Sequence, residues 1–181
     1  MKLKWLLFAA SLLAVGQAEA FELKSSDLTE GNSIANKFVF NGFGCEGGNL
    51  SPSLSWSDPP DGTKGYALLV HDPDAPTGGA GFWHWFVYNI PAATTSLPQG
   101  VGKDGKGLPE GAVQVTTDFG EPGYGGPCPP KGDTPHRYRF TIYALKTDSL
   151  EIPPKATASL AGFLVNANAL GKATLTGVYG R

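Results

Sequence analysis

Residues 137–146 alternate between two faces, and this period of two constrains the fold more than any other stretch of the chain. Tyr138, Phe140, Ile142 and Ala144 fall on one face; Arg137, Arg139, Thr141 and Tyr143 fall on the other. Such a segment is a strand and needs a sheet around it. Residues 66–70 are a nearly continuous apolar run, as a strand buried on both faces requires. Residues 84–90 carry Trp85, Phe86 and Tyr88 and read the same way. Residues 37–40, 54–56 and 112–117 are shorter strand candidates, with turn signals at Asn41-Gly42 and Asp58-Pro59-Pro60-Asp61-Gly62. One region has helical spacing: in residues 155–170, Leu160, Ala161, Leu164, Val165 and Asn168 share a face, with Gly171 as a stop signal. A last strand over 173–179 follows. With 25 Gly and 15 Pro, the chain favours a loop-rich β architecture over a helical bundle. The expected fold is mainly β: a sandwich of two antiparallel sheets with Greek-key connections and one C-terminal helix.

The beginning of the chain reads as a leader. Lys2 and Lys4 precede an apolar segment that is too short for a stable membrane span. Ala18-Glu19-Ala20 is an A-x-A cleavage site. Residues 1–20 are therefore expected to be a signal peptide and residues 21–181 a single domain, exported to a periplasm or secreted. No later segment is long and apolar enough to span a bilayer. Losing Lys2, Lys4 and Glu19 moves the formal charge from −2 to −3. There is no basic run, so nucleic acid is not an expected partner. Cys45 and Cys128, an even pair in an exported chain, read first as one disulfide. They form no C-x-x-C, which argues against a dithiol catalyst.

The polar candidates gather around one loop. Asp72-Pro73-Asp74-Ala75-Pro76 follows directly on the apolar run. Each proline fixes its own φ and holds the preceding residue extended, so the carboxylates stand in a stiff frame. His84 opens one strand and His136 another. Tyr138, two residues on, shares the face of His136. These groups converge on one rim, with Trp83 and Tyr124 as aromatic walls and the prolines around Cys128 as the opposite lip. The bland alternatives are that Asp72 and Asp74 cap backbone N–H groups and that the tryptophans fill the core, Trp83 being the best exception. His71 should face away from Asp72.

Several stretches together resemble one family. They are Phe43-Gly44-Cys45, Asn49-Leu50-Ser51-Pro52, Leu54-Ser55-Trp56, Asp72-Pro73-Asp74-Ala75-Pro76-Thr77-Gly78, His84-Trp85 running to Asn89-Ile90-Pro91, and Tyr124-Gly125-Gly126-Pro127-Cys128-Pro129-Pro130 leading to His136-Arg137-Tyr138. The chain resembles the phosphatidylethanolamine-binding proteins, in their bacterial Raf-kinase-inhibitor-like branch, over essentially all of its length after the leader. The resemblance implies a two-sheet β-sandwich with a small anion pocket at one end. It assigns Asp72, His84, His136 and Tyr138 to that pocket, with Asp74 and the Pro129-Pro130 turn in its rim. It implies phosphate-like ligands, phospholipid head groups among them. Some eukaryotic members bind kinases, and some inhibit serine proteases. The short loop over 78–81 and the end of the chain soon after Tyr179 both weigh against kinase binding.

The leading expectation is thus an exported binding protein for a small anionic or phosphorylated ligand, not an enzyme, with no cofactor and no metal. A protease inhibitor or other protein-interaction module is the alternative, and a homodimer is compatible with either. A hydrolase lacks support: there is no G-x-S-x-G elbow and no H-E-x-x-H. A carboxylate beside an anion needs a neutralising charge. The sequence offers His84 and His136 for it, or a proton on the ligand, so anion affinity is expected to rise as pH falls from about 8 to about 6.

Overall fold

The computed structural model describes residues 20–181, so the leader expected over 1–20 lies outside the described residues, Ala20 apart. The strands are β1 (Glu22–Lys24), β2 (Asn41–Gly42), β3 (Cys45–Glu46), β4 (Leu54–Ser57), β5 (Gly65–Asp72), β6 (Phe82–Pro91), β7 (Ser96–Leu97), β8 (Val113–Gln114), β9 (His136–Leu145) and β10 (Ala169–Tyr179). One α-helix, α1 (Ala158–Asn168), precedes β10. No helix among the described residues is long and apolar enough to cross a membrane.

The strands form a large sheet of order β10-β9-β5-β6-β8, a small sheet β1-β4-β7 and a ribbon β2-β3, each paired antiparallel. Within the large sheet β5, β6 and β8 are neighbours in chain order, and β9 returns to lie beside β5. That is the strand order of a Greek key. The main core lies between the two larger sheets, where Leu54 and Trp56 of β4 meet Leu68, Val70, Phe140 and Ile142. A second core forms on the outer face of the large sheet, where Ala161 and Val165 of α1 cover Ala67, Leu69, Phe86 and Leu145. The central strand β5 is therefore buried on both faces, which accounts for its unbroken apolar run.

Four local expectations change. Residues 37–40 do not form a strand: Asn36–Phe38 is a single 3-10 turn, and the Phe40 N–H donates to Pro127 O instead of a sheet ladder. The turn closes on itself, with Phe38 N–H donating to Ala35 O and Val39 N–H to Asn36 O, so these donors are not left for a strand partner. The weak strand over 112–117 shrinks to Val113–Gln114. The helix is shorter than residues 155–170. It begins after Thr157, whose side chain accepts from the Leu160 N–H at 3.2 Å as an N-cap, and Pro153 and Pro154 precede it. Gly171 is not a helix stop. It lies inside β10, where a Cβ would come 2.8 Å from Pro60 Cγ, so its role is close approach.

Candidate functional site

Three strand ends meet at one end of the large sheet. β5 stops at Asp72, β9 starts at His136, and β6 starts beside them at Phe82. The alternation of β9 sets His136 and Tyr138 on the core face, two residues apart. On β6, alternation alone would send His84 and Trp85 to opposite faces. The pairing instead shifts register between Val70↔Trp85 and His71↔Trp83, so His84 is an extra residue on its strand. This bulge keeps Trp85 in the main core and turns His84 toward the same side.

These side chains line a cavity of about 250 Å3. Asp72, His84, His136 and Tyr138 are its buried polar groups, with 3%, 4%, 3% and 1% of their surface exposed. Phe82 and Phe119 form one wall, Pro129 and Pro130 the opposite lip, and Phe43 stands 71% exposed at the mouth. Among the described residues, no Lys or Arg side chain lines it.

Hydrogen bonds fix most of the polar atoms. Asp72 Oδ1 accepts the Asp74 backbone N–H at 2.8 Å, and Oδ2 accepts His136 Nδ1–H at 2.8 Å. The Nε2 of His136 faces the Asp133 carboxylate at 3.5 Å. His84 Nδ1–H donates to the Gly125 carbonyl at 2.8 Å, which leaves Nε2 as the lone-pair nitrogen of a ring that lines the cavity. Gly125 must be glycine for this approach, since a Cβ there would run into the Phe119 ring. The Tyr138 hydroxyl is buried near Asp72 and forms no hydrogen bond of acceptable geometry with any described residue. Burial, and next the Asp72 charge, push the Tyr138 phenol far above its ordinary range, so it stays a donor. Burial lowers His84 to about 4, against the opposing pull of the Gly125 carbonyl. His84 is therefore neutral over ordinary pH. The expectation that both histidines supply positive charge fails for His84, because desolvation of its ring outweighs the Gly125 carbonyl and the Asp72 charge, which both favour the imidazolium.

Three residues of the expected site lie elsewhere. Trp83 alternates to the outer face, where its ring sits 4.3 Å from His71 and packs toward Gly162 of α1. Tyr124 is buried behind the cavity: its hydroxyl donates to Phe38 O at 3.0 Å and its ring meets Trp85 edge-on. Asp74 does not line the cavity. Arg137 donates to it from Nε at 2.8 Å and from Nη2 at 2.6 Å, and this guanidinium holds the carboxyl down at about 2. Arg137 thus points away from Tyr138, as alternation requires.

Other participants were missed. Phe119 and Phe82 frame the His84 ring at 5.3 and 5.2 Å, Phe119 from 35 residues along the chain and Phe82 from two positions earlier on β6, where the bulge lets the two rings meet. Asp133 lies one helical-type step before His136, but nothing in its neighbours marks it. Arg181 donates to Pro129 O at 2.6 Å and to Gly44 O at 2.8 Å, tying the two lips together. The Cys45–Cys128 disulfide joins the same two segments. Among the described residues no three His, Cys, Asp or Glu side chains group as a metal site would need.

A family model described as phosphatidylethanolamine-binding protein matches residues 24–180. The protein YbcL of Escherichia coli (strain K12) is 52% identical over 164 residues, 90% of this chain and 89% of YbcL. YbhB of the same organism is 45% identical over 158 residues, 87% of this chain and 99% of YbhB. The crystal structure of E. coli YbcL, described as "a new member of the mammalian PEBP family", matches with a TM-score of 0.86 and 51% identity, covering 89% of this chain and 98% of that one.

Proposed function

The chain belongs to the phosphatidylethanolamine-binding protein family, and on that premise we propose that it binds a small anion of the phosphate type in this pocket. One observation carries the reading: the buried Tyr138 hydroxyl, which lies beside Asp72 yet makes no well-formed hydrogen bond, in a cavity that has room for a ligand. Buried polar groups are ordinarily paired, and an anionic oxygen would pair this one. The Tyr138 donor and His136 Nε2, when it carries a proton, face the space an anion would fill. The pocket suits binding better than hydrolysis. Thr77 is the other hydroxyl in its lining, and it donates to Gly81 O at 2.9 Å with no base beside it. The leader pattern and the disulfide together favour an exported protein acting in an oxidising compartment.

The test is calorimetry with inorganic phosphate on wild type and Tyr138→Phe. Hydrogen bonds to charged groups contribute about 1.5–3 kcal/mol, so the variant should bind roughly ten- to a hundredfold more weakly. Its stability should change little, because the lost hydroxyl makes no well-formed hydrogen bond in the fold. Equal affinity in the two proteins would remove the reading.

Asp133 gives a second expectation of opposite sign. Its half-exposed carboxylate occupies the approach to His136 Nε2 and repels an incoming anion. Asp133→Ala should raise phosphate affinity, by up to about fivefold, the scale of an exposed ion pair. Unchanged or weaker binding in the titration would show that Asp133 does not compete for the site.

A further inference from the structure

The pocket contains acceptors as well as donors, which is unusual for an anion site. Asp72 brings a carboxylate, and each of its oxygens keeps a lone pair beyond the one well-formed bond it accepts, with the Tyr138 hydroxyl beside it as the donor that an inserted ligand would turn to its own oxygen. His84 brings a second acceptor. Its Nδ1–H is committed to Gly125 O, so Nε2 carries the lone pair of a ring that lines the cavity. Both residues are buried, at 3% and 4% exposure. Among the described residues, no Lys or Arg lines the cavity to offset a second negative charge. An anion without a proton would meet these lone pairs with its own. His136 does not change this conclusion: protonated at Nε2 it is a donor for an anionic oxygen, and unprotonated it is one more acceptor.

We propose that the pocket selects a singly protonated phosphate-type anion, whose P–OH donates to the Asp72 and His84 acceptors while its P–O⁻ accepts from Tyr138, and that it rejects sulfate and phosphate diesters. The inference rests on the phosphate-type reading above and narrows it to inorganic phosphate or a phosphomonoester. Sulfate has the same shape and no proton near neutrality. A diester, the form a phospholipid head group takes, has no P–OH either. A ligand that leaves buried acceptors facing its own lone pairs forfeits their hydrogen bonds and adds repulsion. Sites built around a ligand hydroxyl discriminate strongly against analogues that lack it.

The experiment is calorimetry on the wild-type protein at pH 6 and constant ionic strength. At that pH a monoester, with a second pKa of about 6, keeps its proton in about half the molecules. The probes are inorganic phosphate, glycerol 3-phosphate, sulfate and dimethyl phosphate. Phosphate and glycerol 3-phosphate should bind at least about a hundredfold more tightly than sulfate and dimethyl phosphate, a modest fraction of the discrimination known for such sites. In Asp72→Asn the carboxylate becomes an amide that can donate, so the phosphate-to-sulfate ratio should fall at least tenfold. Sulfate binding within about threefold of phosphate in the wild type would overturn the inference and leave the pocket reading standing. Failure of all four probes to bind would overturn both.

Discussion

Replacing Cys45 and Cys128 together by alanine is expected to lower the stability of the protein by up to about 4.5 kcal/mol, the value of the chain-entropy model for so long a loop. The bond joins residues 83 apart in sequence, so it restricts the unfolded chain heavily. A loss of that size is a large part of the roughly 5–15 kcal/mol available to a domain. The anchoring also has a local consequence. Cys45 belongs to the short ribbon β2-β3, which has little apolar contact of its own, and Cys128 sits among the prolines of the cavity lip. Without the bond, Arg181 alone would hold Gly44 to Pro129, through hydrogen bonds to their carbonyls. Urea denaturation of the oxidised wild type and the double variant measures the difference. A change below 1 kcal/mol would show that the unfolded chain is already restricted by residual structure, or that strain in the folded state cancels the gain.

What could be read from the sequence follows the reach of each physical signal. Period two in 137–146 and the unbroken apolar run in 66–70 report burial on one face and on both, and these become β9 and β5. Strand ends then place Asp72, His136 and Tyr138 without further information. Trp83 shows where the reasoning stops. Its position depends on a bulge at His84, and a bulge is a register relation between two strands, invisible in either alone. Tyr124 failed for a different reason: an aromatic in a glycine- and proline-rich loop looks exposed, yet its hydroxyl finds Phe38 O, a partner 86 residues away. The aromatic walls, Asp133 and Arg181 are also contacts of the folded chain only. Gly171 misled because the same residue serves a helix end and a tight sheet contact, and only the position of Pro60 separates them.

Acid should destabilise this protein through His84. The ring is buried and neutral in the fold, with its pKa lowered to about 4 by desolvation, against 6.5 when unfolded. Between those values the unfolded chain binds a proton that the folded chain refuses. The stability contributed by the neutral ring is therefore whole above pH 6.5 and is lost as pH falls toward 4. At about 1.4 kcal/mol per pKa unit, the loss from His84 alone reaches roughly 3 kcal/mol by pH 4. His84→Gln removes the titrating group while keeping an amide able to donate to Gly125 O. The variant should be less stable than wild type at pH 7, since it leaves a gap against Phe119 and Tyr138, yet its stability should fall by roughly 3 kcal/mol less between pH 7 and pH 4. Other titrating groups contribute equally to both proteins and cancel in that difference. Urea denaturation of the pair at several pH values supplies the measurement. Parallel curves would mean that the imidazole keeps its solution pKa in the fold. His84 would then be charged at pH 5, its Nε2 would donate, and the acceptor argument for a protonated ligand would fall with it.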